Sequence, residues 1–136
     1  MEQYEHVVVV SALIMRDAAG AILIVRKEGT SKFMLPGGKI EPGETPAETV
    51  VREAAEEISV TLDQQKLRFV GEFLTDATNE PGWGVRAYVF EHPFVADWKL
   101  AGEIAEAQWL DAEKALPPNV GPLLSDALLP VLRQSV

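Results

Sequence analysis

The feature that most narrows what this chain can become is the run Gly37–Val60, GGKIEPGETPAETVVREAAEEISV. A glycine-rich bend leads directly into a helix whose two sides differ in chemistry. Thr45-Pro46-Ala47-Glu48 is a helix start. Thr45 can cap, Pro46 suits the first helical position because the N–H it lacks would go unpaired there, and Glu48 completes a capping box. The helix is expected to run to about Ile58. At roughly 100° per residue, Ala47, Val50, Val51, Ala54 and Ile58 gather on one apolar face. Glu53, Glu56 and Glu57 gather on another, at i, i+3 and i+4, where helix side chains are neighbours. Three like charges so placed repel by a few tenths of a kcal/mol per pair in water, and more when partly buried. A hard divalent cation prefers carboxylate oxygen and removes that repulsion. An acidic run alone more often marks a solvated face. The adjoining bend, whose carbonyls can add ligands, and Glu44 beside it favour a cation site.

The remaining chain supplies strands. Val7–Met15 is rich in β-branched residues, and Ala21–Arg26 follows it across the turn residues Asp17-Ala18-Ala19-Gly20, so the two are expected to pair as a hairpin. Phe33-Met34-Leu35 ends at Pro36-Gly37-Gly38, which reads as an irregular loop where backbone approaches a ligand closely. Leu67–Thr75 and Val85–Glu91 read as strands joined through Asn79-Glu80-Pro81-Gly82, and Ala107–Leu110 as a short strand. Asp111 is placed to cap a brief helix before Pro117-Pro118, and Gly121–Leu132 has helical apolar spacing. No internal repeat or low-complexity segment is visible. The order predicts an α/β or α+β sandwich.

Length and composition set the outer bounds. A chain of 136 residues fits one domain with one core. The absence of cysteine rules out disulfides and thiolate metal sites and suits a reducing, cytoplasmic setting. The start Met1-Glu2-Gln3-Tyr4-Glu5-His6 lacks the basic stretch of a signal peptide. The longest apolar run, Val7–Met15, is too short to cross a bilayer as a helix. A net charge of −9 argues against nucleic-acid or anionic-membrane binding. It suits an enzyme for anionic phosphates only if part of that charge holds metal.

The residues Gly38, Glu44, Arg52-Glu53 and Glu56-Glu57, at their spacings, resemble the Nudix box, G-x5-E-x7-R-E-U-x-E-E-x-G-U, where U is a bulky apolar residue. Six fixed positions make the motif specific. Two positions depart from it. Ala54 is small where a bulky residue is usual, and Ser59 stands where glycine ends the helix in a left-handed conformation that serine adopts with strain. The order of elements on both sides is similar to the MutT-like branch of the Nudix hydrolases.

The resemblance implies an α/β/α sandwich with a mixed central sheet between helices, formed by residues 1–136 with the box at 38–60. It implies Mg²⁺, or Mn²⁺ in its place, held chiefly by Glu56 and Glu57 with the Gly37 or Gly38 carbonyl. Glu53 is expected to bind a second metal or orient the attacking water, Arg52 to hold Glu53 by an ion pair, and Glu44 to stabilise the loop. Metal-activated hydroxide would attack one phosphorus in line. A further metal-binding or base glutamate after the box is assigned first to Glu103, with Glu106 and Glu80 as lesser candidates. Phosphate partners are expected at Arg26, Lys39 and Arg86. For the base, Phe33, Trp83 and Tyr88 offer stacking faces, and Asn119 resembles a position that reads a purine edge through its amide.

The expected activity is Mg²⁺-dependent cleavage of a pyrophosphate bond in a nucleoside diphosphate derivative, preferably an oxidised nucleoside triphosphate. ADP-ribose or a dinucleoside polyphosphate is the alternative substrate. A silent nucleotide sensor and a hydrolase for isoprenoid or inositol diphosphates are the alternative classes. Sensors of this fold commonly lose a box carboxylate, and here Glu53, Glu56 and Glu57 all remain. The partner is a small nucleotide, with the protein acting as a monomer or homodimer.

Overall fold

A computed structural model describes residues 4–78, 80–114 and 116–134, without the side chains of 133 and 134. Asn79, expected in the turn before Pro81, lies outside these residues. Among the described residues, six strands and two α-helices run in the order β1 (His6–Met15), β2 (Ile22–Lys27), β3 (Gly37–Lys39), α1 (Pro46–Ile58), β4 (Arg68–Asp76), β5 (Trp83–His92), β6 (Ile104–Leu110) and α2 (Leu129–Gln134). A short 3₁₀ turn, Gln64–Lys66, precedes β4, and a π-helical turn, Leu123–Leu128, leads into α2.

The main sheet has the order β3-β1-β5-β4, and β2 and β6 form a second, two-stranded sheet. β1 lies parallel to β5 and antiparallel to β3, while β4 is antiparallel to β5. The sheet is therefore mixed. The β-branched run of β1 fits this central place, because both of its edges are paired and its C-terminal half, Ser11–Met15, is buried.

Four expectations need correction. The Asp17–Gly20 turn forms, with Asp17 Oδ1 accepting from the Ala19 and Ala21 amides. The hairpin does not propagate past the bridge Arg16↔Ile22, because β3 and β5 occupy the edges of β1 and β2 pairs with β6 instead. Gly37–Lys39 is an edge strand, not an irregular loop, in register Ala12↔Gly37, Ser11↔Gly38, Val10↔Lys39. Asp111 caps only a turn, accepting from the Glu113 amide, and the described residues between it and Pro117 form no helix. The expected terminal helix Gly121–Leu132 is also interrupted in kind, since its first turns are π-helical.

Alternation along β1 and β2 sorts the core into two layers. Ala12, Ile14, Ile22 and Ile24 face Leu124, Leu128, Leu129 and Leu132 of the terminal helical segment. Leu13, Met15, Leu23 and Val25 face Val50, Ala54 and Ile58 of α1. Each fully buried Val, Leu or Ile contributes roughly 1.5–3 kcal/mol. The result is sheet sandwiched between helices.

α1 begins as the sequence dictates. Thr45 accepts from the Glu48 amide, and the Glu48 carboxylate accepts from the Thr45 amide. It ends at Ser59, at φ 59°, the one described non-glycine residue in the left-handed region. The backbone strain anticipated for serine is present there, at roughly 1–2 kcal/mol.

Candidate active site

The first requirement is close packing of the glycine bend on α1. Gly37 sits at φ +155°, and a Cβ there would stand 2.1 Å from the Ser11 carbonyl oxygen. A Cβ on Gly38 would stand 2.2 Å from a Glu53 carboxylate oxygen. The missing side chains let the strand approach the helix until the Gly37 amide donates to Glu57 Oε1 at 2.9 Å. The Ser11 hydroxyl donates to the Pro46 carbonyl at 2.8 Å and ties β1 to the first turn of α1.

A second clamp acts at the other end of the helix. The last carbonyls of an α-helix lack intrahelical donors. Here the Lys99 amide donates to the Ile58 carbonyl at 2.9 Å, and the Ala101 amide to the Glu57 carbonyl at 3.0 Å. Gly102, at φ +58°, lets the chain turn against Glu56. This brings Glu103 over the acidic face of α1.

The outcome is a cleft of about 610 Å³ lined by Lys27, Gly38, Lys39, Glu41, Arg52, Glu53, Glu56, Glu57, Gly102 and Glu103. Five carboxylates meet three cations in it. Arg52 is the hub. Its Nε and Nη2 bind Glu44 at 2.7 and 3.0 Å, and Nη2 also donates to the Lys39 carbonyl at 3.1 Å. Its Nη1 reaches Glu56 at 3.3 Å and Glu53 at 3.5 Å. The expected Arg52–Glu53 pair is thus a minor contact, and Glu44 is the principal partner, because two guanidinium nitrogens donate to its two oxygens at 2.7 and 3.0 Å. The hydrogen bonds from Arg52 and from the Glu41 amide hold the Glu44 carboxyl down at about 2.

Glu57 behaves in the opposite way. It is 7% exposed, and burial pushes its carboxyl up to about 7 against the opposing Gly37 amide, with Glu53 and Glu56 adding to the rise. The Glu53 carboxyl is raised too, by burial first and then by Glu56. Lys27 Nζ stands 4.0 Å from Glu57 and offsets little of this. An excess of hard, partly buried carboxylates over cations is the donor set a divalent ion such as Mg²⁺ or Mn²⁺ fits. Among the described residues, no three acidic or histidine side chains already converge on one point. Convergence needs side-chain rotation, for which Glu56, its side chain 56% exposed and held by Arg52 only at 3.3 and 3.5 Å, has room.

Three candidates for phosphate binding separate. Lys39 lines the cleft. Arg26 does not: its Nε donates to Glu106 at 2.8 Å across the β2–β6 pair, and Nη1 to the Thr30 carbonyl at 2.6 Å. Arg86 binds Glu72 at 2.6 Å across β4–β5, away from the cleft. The residue overlooked in favour of Arg26 is Lys27. The signal was present, since Lys27 follows Leu23 and Val25 at alternate positions on the face that meets α1.

A second cavity, of about 210 Å³, adjoins the cleft and shares Lys27, Gly38 and Lys39 with it. Its walls include Val8, Val10, Met34, Val85, Leu123 and Leu124, with Gly121 beneath Thr78, and Glu80 stands at its edge. None of the three expected stacking rings lines it. Phe33 is buried in the core, Trp83 packs on His6 at 4.5 Å between ring centres, and Tyr88 packs near Phe69 on the opposite face. Asn119 also lies outside the lining, with its carbonyl accepting from the Phe33 amide at 2.7 Å. Glu106 is occupied by Arg26. No described helix is long and apolar enough to cross a membrane.

Comparison with known proteins agrees with this geometry. The NUDIX domain model matches residues 5–129. The 8-oxo-dGTP diphosphatase of Escherichia coli is 44% identical over 52 residues, 35% of this chain and 40% of that enzyme, so the match spans less than half of its length. An uncharacterized Nudix hydrolase, orf19 of Rhodococcus erythropolis, is 29% identical over 92% of this chain and 71% of its own. The crystal structure of a MutT protein from Methanosarcina mazei superposes with a TM-score of 0.68 at 28% identity, covering 84% of this chain and 87% of the other.

Proposed function

This chain belongs to the NUDIX domain family and is MutT-like, and from that premise we propose that residues 1–136 form a Mg²⁺-dependent pyrophosphohydrolase acting on nucleoside triphosphates. The observation that carries the reading is the pair of joined cavities. One holds five carboxylates and three cations, and the other is chiefly apolar. A nucleotide has the same two halves. Its diphosphate needs metal and cations, and its base needs an apolar slot. The name of the E. coli relative supports including oxidised guanine nucleotides among the substrates.

Glu56 and Glu57, with Gly38, would hold the cation, and Glu53 and Glu103 complete its surroundings. When bound, the ion neutralises charge on the diphosphate and lowers the pKa of a coordinated water. Lys27 and Lys39, at the border of the two cavities, bind the phosphate oxygens. Arg52 keeps Glu44 against the loop and restrains Glu53 and Glu56 through its third nitrogen. Glu53 then accepts the proton of the attacking water, whose oxygen bonds to phosphorus as the bridging P–O bond breaks. Positioning and electrostatics supply the acceleration, and no covalent intermediate is needed.

The test is a panel of nucleoside triphosphates, ADP-ribose and dinucleoside polyphosphates, with and without Mg²⁺, products identified by mass. Metal-dependent release of nucleoside monophosphate and pyrophosphate is expected. Binding without turnover at millimolar Mg²⁺ would show the protein to be a sensor instead.

A further inference from the structure

The apolar cavity contains one polar side chain that its own surroundings do not use well. Thr75 is 7% exposed and lines the cavity on β4. It is paired with Val85, and two residues after Phe73 it points to the same terminal-helix side of the sheet. Apolar residues lining the same cavity include Val10, Val85 and Leu124. Among the described residues its hydroxyl finds only the carbonyl of the next residue, Asp76, at 3.3 Å, which is long for an O–H···O bond.

The other polar groups around the cavity are accounted for. Ser11 is buried, but its hydroxyl is spent on Pro46 at 2.8 Å on the α1 side. The Asp76 carboxylate turns to the opposite face, where it accepts from the Tyr4 hydroxyl at 2.8 Å beside Gly84. Lys27, Lys39, Thr78 and Glu80 stand at the half-buried or exposed rim. Valine has the shape of threonine and suits a strand equally well, so a desolvated hydroxyl here costs stability with little return inside the protein.

We propose that Thr75 is a specificity-determining residue whose hydroxyl hydrogen-bonds the polar edge of a heterocyclic base seated in the apolar cavity. This rests on the functional reading above. A hydroxyl donates or accepts, so Thr75 favours any ring with a polar edge over an apolar group of the same size. It takes no part in the bond-breaking step, and its loss weakens ground state and transition state alike, raising KM while kcat holds.

The experiment compares wild type, Thr75→Val and Thr75→Ser on a nucleoside triphosphate and on geranyl diphosphate, an apolar diphosphate without a base. Thr75→Val is expected to raise KM for the nucleotide about fivefold to tenfold, with kcat within about twofold and no matching rise for geranyl diphosphate. Thr75→Ser keeps the hydroxyl and is expected to restore the nucleotide KM. Equal nucleotide KM in wild type and Thr75→Val sinks the assignment, as does a rise shared by both substrates. A wild type that hydrolyses nucleotides while Thr75→Val matches it overturns only the role of Thr75. A wild type that hydrolyses no nucleotide overturns the functional reading and this inference with it.

Discussion

The acidic cleft and the apolar cavity meet at Lys27, Gly38 and Lys39, yet they are built in opposite ways. The cleft takes most of its chemistry from one continuous stretch, Gly38 to Glu57, and only Lys27 and the Gly102-Glu103 turn come from elsewhere. The cavity draws on β1, β4, β5, the loop after β4 and the segment entering α2. The cleft stores unfavourable electrostatics, with Glu57 buried and raised to about 7. The cavity stores little, being walled by aliphatic groups. The difference teaches that reactivity here is concentrated in a short, locally encoded unit, while ligand shape is left to long-range packing.

The sharpest way to break that contrast is Glu57→Gln. Turnover should fall at least about 100-fold, because a metal ligand loses its charge, while circular dichroism shows a retained fold. A variant within a few-fold of wild type would remove Glu57 from the site.

Leu124→Ala attacks the other region. Leu124 is 1% exposed and belongs to both the core and the cavity wall, so unfolding free energy should drop by about 2–5 kcal/mol, with a rise in nucleotide KM. Denaturant melts and steady-state kinetics on one preparation would check both. A KM shift of the same size from a core substitution remote from the cavity would count against the cavity as the binding slot.

The stored strain of the cleft should appear as a pH slope in metal-free protein. Glu57 has its folded value raised from the ordinary 4.5 to about 7. The folded state therefore holds the proton more tightly between those limits, and stability present below about 4.5 is lost as pH rises through about 7. The loss from this group is about 3 kcal/mol. Melts in chelator across that window should show it, and Glu57→Gln should remove most of the slope. Added Mg²⁺ should raise the wild-type melting temperature at pH 8. A flat wild-type profile in chelator contradicts the burial argument.

The smallest effect is expected at Ser59→Gly, which relieves the left-handed conformation at the end of α1. It should add about 1 kcal/mol of stability without altering kcat, since the residue touches neither cavity. A change in kcat larger than the change in stability would tie the helix end to the chemistry.

How much of this was legible in sequence follows the same division. The capping box, the apolar and acidic faces of α1 and the family resemblance were readable because the residues that carry them lie on one continuous stretch of chain, Gly38 to Ile58. The π-helical start of the terminal segment and the loss of the β1–β2 hairpin were not, because they depend on which strand edges are already taken. Arg26 and Arg86 looked available for phosphate until strand pairing placed Glu106 opposite Arg26 and Glu72 diagonally across from Arg86. Trp83, Tyr88 and Phe33 were aromatic in the right region, but strand parity and packing turned them elsewhere.

The amino-acid order alone determined a helix with three carboxylates on one side and aliphatic groups on the other, because backbone geometry fixes the spacing of neighbours along a helix. Only the tertiary structure decided which cations remain to meet a phosphate, and which strands wall the slot beside them. Those choices arise when residues distant in the chain compete for the same partners, and local spacing carries no record of that competition.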